Sequence, residues 1–160
     1  MAEEKKKRKR LALVVSKGTL DSAYAPLILS TTAVSMGWEC ALFFTFYGLN
    51  ILNKKKMNDL KVPPLATPAM PVSIPNIIGV LPGMTAMATK MMKTWMERGK
   101  MPPVSELITI AREGGAVFYA CATTMGLMGL KKEDLIDGVQ MAGASTYLEY
   151  AAEAEVNLFI

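Results

Sequence analysis

The sequence predicts an α/β domain: a five-stranded, mainly parallel sheet with helices on both faces. Three observations lead there. Short, continuously apolar runs with β-branched and aromatic members recur along the chain, as in strands buried on both faces. Segments with helical spacing and cap residues separate them, and strand–helix alternation implies parallel strands joined by crossovers. The run at 116–120 is bounded by Gly114 and Gly115 and passes directly into Cys121 and the hydroxyl residues Thr123 and Thr124. Five strands connected in this way most often take the order 2-1-3-4-5, which is the expected order here.

Taken in order, Leu11–Ser16 is the first strand, emerging from a basic stretch. The turn 17–22 offers several helix caps, and a helix follows to about Ala33 with Leu20, Tyr24, Leu27, Ile28, Thr31 and Val34 along one side. Pro26 fits only near a first turn, so that helix is expected to start late or bend. Cys40–Phe46 is the second strand, in which Cys40 reads as core filling, and a short helix begins near Gly48. Six prolines between Pro63 and Pro82 rule out a regular helix there. Met84–Arg98 then reads as a helix, with Met84, Met87, Met91, Met92 and Trp95 on or near one face, and another runs from about Ser105 to Arg112. Methionine-rich faces suit irregular partners, although packing on the chain's own core explains them equally well. After the Cys121 strand come a short helix over 125–129, a strand at 138–143, a helix from Ser145 to Ala154 and a terminal strand at 156–160. The expected organisation is a disordered basic tail at 1–10 and a single domain at 11–160, with 57–113 as a Pro/Met-rich, partly helical insertion.

Composition narrows the chemistry. The chain has 160 residues, two cysteines and no histidine. Histidine-based triads, Cys–His dyads and imidazole metal sites are thereby excluded, and a structural zinc site within one chain is disfavoured. No metal and no cofactor is expected. The net charge of +4 resides in the tail, because the rest of the chain carries equal numbers of acidic and basic residues. A nucleic-acid binder would show a basic face on its fold, so no nucleic-acid partner is expected. The tail reads as solvated chain, with a weak contact to an anionic membrane surface as the alternative. No apolar run reaches the roughly 18–20 residues of a membrane span, and residues 1–10 lack a signal-peptide core. Cytoplasmic residence with reduced thiols is the expectation.

The site is read from strand ends. Ligands of open parallel sheets bind at the carboxyl ends of the strands, and in the order 2-1-3-4-5 the first and third strands are neighbours there. The turn Ser16, Lys17, Gly18, Thr19 would then face Cys121. Thr123 or Thr124 would cap the following helix, placing the thiol among unpaired N–H groups that favour a thiolate. Lys17 would add charge from the facing turn. Such a thiolate can attack a sulfane sulfur, hold it as a persulfide and release it to another thiolate, with no metal or acid–base pair.

Four segments carry a resemblance: Ser16–Asp21, Phe43–Asn50, Cys121–Gly129 and Lys132–Gly138. They resemble the DsrE/DsrF-like sulfur-relay family, and more closely its DsrE-type branch with a long Met-rich insertion. The resemblance implies a flavodoxin-like three-layer fold, homo-oligomers and a persulfide-carrying cysteine matching Cys121. It also implies small sulfur-carrier proteins or rhodanese-like sulfurtransferases as partners. Gly126 stands where the family often has an acidic residue, and Cys40 where it has an ordinary apolar one. Three other readings compete: an assembly module in which Cys121 is structural, a nucleotide or flavin binder using the 16–21 turn without a glycine-rich fingerprint, and a thiol peroxidase.

Overall fold

The computed structural model describes residues 8–63 and 82–160. The basic tail at 1–7 and most of the proline-rich stretch lie outside the described residues. The element order is β1 (Arg10–Val15), α1 (Leu20–Ser35), β2 (Glu39–Phe44), α2 (Leu49–Leu52), α3 (Met84–Arg98), α4 (Val104–Glu113), β3 (Val117–Cys121), α5 (Ala122–Met128), β4 (Gln140–Ala142), α6 (Ala144–Ala152) and β5 (Val156–Phe159). Pro26 is buried within α1, which runs unbroken to Ser35 instead of starting late. Leu20, Ala23, Tyr24, Leu27 and Ser30 are buried on either side of it, and that packing outweighs the backbone bond a proline cannot make.

All pairings in the sheet are parallel, and helices cover both faces in three layers. The strand order, however, is 4-3-2-1-5, not 2-1-3-4-5. β2 lies between β1 and β3, and β5 takes the other side of β1. Burial explains the correction. Five of the six β2 residues are buried, whereas β4 has one buried residue of three and β5 none. Putting β2 at the edge would expose Leu42, Phe43 and Phe44; the three-residue β4, with Gln140 and Met141 exposed, takes that edge instead, and β5 keeps the other.

Connection handedness then sets the layers. The steps β1 to β2, β2 to β3 and β3 to β4 run in one direction, so right-handed crossovers place α1, α4 and α5 on one face. The return from β4 to β5 reverses direction and puts α6 on the other. The side chains follow this division. Leu11, Leu13, Val15, Leu42, Phe44, Phe118 and Ala120 join α1, α4 and Met125 of α5 in the main core. Alternate residues Ala12, Phe43 and Cys121 join Tyr147 of α6 in a smaller cluster, where the Phe43 and Tyr147 rings stack at 4.9 Å.

Helix α3 packs Ala88, Met92 and Met96 against the main core and leaves Met87, Met91 and Trp95 exposed. The expected methionine face is therefore split between core and solvent. Among the described residues, no helix is long and apolar enough to cross a membrane.

Candidate functional site

Cys121 is the last residue of β3 and itself stands at the N-cap of α5. This places the helix start earlier than the expected caps Thr123 and Thr124, which instead lie in its first turn. Their backbone N–H groups have no partner within the helix and point back toward the thiol. Met125, buried in the main core, anchors α5. Gly129, in left-handed conformation at φ 65°, closes it as Leu130 N–H donates to the Met125 carbonyl at 2.9 Å.

Register identifies the neighbours. Val15, Phe44 and Ala120 sit at one level across β1, β2 and β3, so Ser16, Thr45 and Cys121 occupy the next. Thr45, not the 16–19 turn, is beside the thiol. Its hydroxyl lies 2.9 Å from that of Thr124, which is buried. On the other flank Cys121 pairs with Ala142 of β4. The chain leaves β3 toward one face and β4 toward the other, so the topological switch point lies between these two strands, at Cys121. The corrected strand order moves the crevice but keeps the cysteine in it.

The electrostatics set opposing effects on the thiol. Burial pushes its pKa up. Hydrogen bonds from the Thr124 hydroxyl and N–H, the Thr45 hydroxyl and the Thr123 N–H pull it down, and the net direction is downward. Cys40 has no such donors, and burial pushes it up to about 12. Both thiols are free. Cys121 is 8% exposed and Cys40 2%, so only the former combines a partial opening with stabilisation of the anion.

The other expected site residues lie at the same carboxyl end but beyond β2. From Ser16 to Cys121 is two strand spacings, about 10 Å. Ser16 Oγ donates to the Ile160 carbonyl at 3.1 Å, and Thr19 Oγ1 to Ser22 Oγ at 2.9 Å. Lys17 is exposed. A Cβ at Gly18 would stand 2.0 Å from the Tyr47 carbonyl oxygen, and one at Gly48 2.1 Å from that of Val15. The two glycines therefore let the 16–18 and 46–48 segments pack together. The chain between them holds Phe46 at φ 44° with its ring exposed, beside an exposed Tyr47. Thr45 was the functional candidate that sequence reasoning missed. Its signal was present in Phe43–Asn50, but the second strand was expected to run through Phe46, whereas it ends at Phe44 and leaves Thr45 at its tip. Among the described residues no group of three or more acidic, cysteine or histidine side chains forms a metal site.

The chain is similar to known proteins along nearly its whole length. Residues 7–159 match the model of the DsrE/DsrF/DrsH-like family. The chain is 40% identical over 159 residues to the sulfur carrier protein DsrE2 of Allochromatium vinosum, covering 96% of this chain and 99% of that one. It is 33% identical to the uncharacterized protein YrkE of Bacillus subtilis, over 95% and 97% of the two chains. Among solved structures, YchN of E. coli aligns with a TM-score of 0.57 at 13% identity, over 96% of this chain and 99% of that one. MTH1491 of Methanobacterium thermoautotrophicum aligns with a TM-score of 0.53 at 12% identity, over 95% and 99%. These two likenesses concern the fold. The sequence matches span nearly the whole chain, and on them the protein belongs to the DsrE/DsrF/DrsH-like family.

Proposed function

We propose that this protein is a sulfur carrier that holds sulfane sulfur as a persulfide on Cys121 and passes it between partner thiols. The observation that carries the reading is the placement of Cys121 at the switch point, with hydroxyl and N–H donors that favour its thiolate. The name of the 40%-identical relative supports the same role. In the loading step the Cys121 thiolate attacks a sulfane sulfur of the donor. A new S–S bond forms at Sγ as the donor's S–S bond breaks, and the donor leaves with the electron pair. In the discharge step an acceptor thiolate attacks the protonated outer sulfur. The Sγ–S bond breaks, Sγ leaves as thiolate, and the acceptor carries the persulfide and its proton. Neither step has a net redox change or needs an acid–base histidine.

Small sulfur-carrier proteins or rhodanese-like sulfurtransferases are the partners we assign, working in the reducing cytoplasm with this protein as a homo-oligomer. The exposed Phe46 and Tyr47 beside Thr45 give such partners an apolar contact near the thiol. Ser16, Lys17, Gly18 and Thr19 remain in the proposal as an outer rim of the site, across β2 from the sulfur. The test is intact-protein mass spectrometry after incubation with inorganic polysulfide. A sulfur-mass adduct is expected on the wild type and on Cys40→Ser, and none on Cys121→Ser. An adduct that survives in Cys121→Ser, or none on the wild type, would remove the reading.

A further inference from the structure

We propose that Thr45 is a further sulfur-binding residue, its hydroxyl coupled to that of Thr124 as a rotatable donor pair that serves Sγ of Cys121 in the thiolate and the outer sulfur in the persulfide. The inference deepens the sulfur-carrier reading and rests on it. It begins from a count of protons. Each threonine hydroxyl has one proton and two acceptor lone pairs. The two oxygens are 2.9 Å apart, and either one can be the donor. One proton therefore lies between the oxygens, leaving one for sulfur: from Thr124 if Thr45 donates to Thr124, from Thr45 if the bond runs the other way. Both hydroxyls stand beside the thiol, Thr45 at its level on the adjacent strand and Thr124 in the first turn of α5. The pair thus has two arrangements that differ in which oxygen faces sulfur.

The two arrangements match what the chemistry demands. Negative charge sits on Sγ in the thiolate and on the outer sulfur in the persulfide anion, about 2 Å away along the S–S bond. The backbone N–H groups of Thr123 and Thr124 belong to the first turn of α5 and are fixed toward Sγ. They cannot follow the charge, whereas hydroxyls rotate. When the outer sulfur is protonated and an acceptor thiolate takes it, Sγ leaves as thiolate, charge stands on Sγ again and the pair reverts. Thr45 is suited to the outer position because it comes from β2, not from the helix that holds Sγ. Its own backbone is held by the ladder, with Thr45 N–H donating to the Val15 carbonyl at 3.0 Å. Thr124 is buried and supplies the fixed member of the couple.

The test is the pH dependence of iodoacetamide alkylation at residue 121, measured for the free thiol and again after loading with inorganic polysulfide. The proteins are the wild type, Thr45→Val, which keeps the shape and removes the hydroxyl, and Thr45→Ser, which restores it. In Thr45→Val the midpoint of the rate profile is expected to move to higher pH in both states: by about one unit in the persulfide, which loses one hydrogen bond to a charged group, and by less in the thiol, where Thr124 keeps its proton on Sγ and loses only the bond that polarises it. Thr45→Ser should stay within about twofold of the wild type. A Thr45→Val profile that overlays the wild type in the thiol state would overturn the proposal. A profile displaced in the thiol state alone would overturn the pair's service to the outer sulfur. A merely structural link between β2 and α5 would lower the unfolding temperature without displacing either profile, which also overturns it. A wild type that never loads defeats the carrier reading, and the outer-sulfur half of this one with it; the thiol-state profile still decides whether Thr45 holds charge on Sγ.

Discussion

The two cysteines of this chain occupy adjacent strands of one sheet and have opposite chemistry. Cys40 lies near the amino end of β2, level with Leu11 of β1 and one residue below Val117 of β3. Cys121 lies at the carboxyl end of β3, about five residues or ~16 Å farther along the strand direction. Cys40 points into the main core beneath α1 and α4, where only burial acts on it. Cys121 points to the other face, toward α6, where the strand has just ended and the first N–H groups of α5 lack helical partners. Burial acts on both thiols, so it does not separate them. What separates them is whether the backbone nearby has unspent donors. Within a sheet ladder every N–H is committed; at a strand-to-helix junction several are not.

The largest expected consequence is kinetic. With Cys40 pushed up to about 12 and Cys121 held below the ordinary 9.0, their thiolate fractions at pH 7 differ by about a thousandfold or more. Peptide mapping after brief iodoacetamide treatment of the folded protein should find nearly all label on Cys121. The same treatment in denaturant should label both cysteines at similar rates. Equal labelling in the folded state would break the comparison.

Serine substitutions sharpen it next. Cys40→Ser places a hydroxyl among apolar side chains and should cost about 2 kcal/mol, a fall in Tm of roughly 4–8 °C by thermal melting. Cys121→Ser puts the same hydroxyl beside Thr45 and Thr124, where donors and acceptors exist, and should move Tm by no more than about 2 °C. The more harmful substitution for stability is thus the harmless one for sulfur transfer.

Alkaline pH gives a smaller effect of known sign. A thiol raised in the fold contributes stability that is complete below its unfolded value of 9.0 and is lost as pH rises toward about 12. Relative to Cys40→Ala, the wild type should lose about 1.4 kcal/mol between pH 7 and pH 10, read from urea unfolding midpoints. Cys121 has the opposite sign. Its lowered value means that stability is gained as pH rises from the folded value to 9.0, and lost again as pH falls through it. Parallel curves for wild type and Cys40→Ala would contradict the assignment.

The smallest effect concerns Gly126. A Cβ there meets nothing within 4 Å. Gly126→Ala, inside α5, should therefore stabilise the fold by roughly 0.5–1 kcal/mol through helix propensity, visible as a rise in Tm. The Cys121 alkylation profile should be unchanged, since Gly126 is not among the groups that act on the thiol. A displaced profile would mean that the thiolate depends on freedom in α5 as well as on its donors.

The sequence alone determined the elements and the strand-end place of Cys121. Apolar runs, cap residues and paired glycines are local signals. They located five strands, the strand-to-helix junction at Cys121 and the core role of Cys40, because each depends on residues within one turn or strand. Tertiary structure decided what stands next to the thiol. The order 4-3-2-1-5 depends on how much surface each strand buries once the sheet forms, and the largely apolar β2 moved inward while the short, mostly exposed β4 took an edge. That exchange removed the 16–19 turn from the side of Cys121 and put Thr45 there, 76 positions earlier in the chain yet one strand spacing away. Spacing along the chain carries no information about such a pair. It exists only because two strands, each placed by burial, end at the same level.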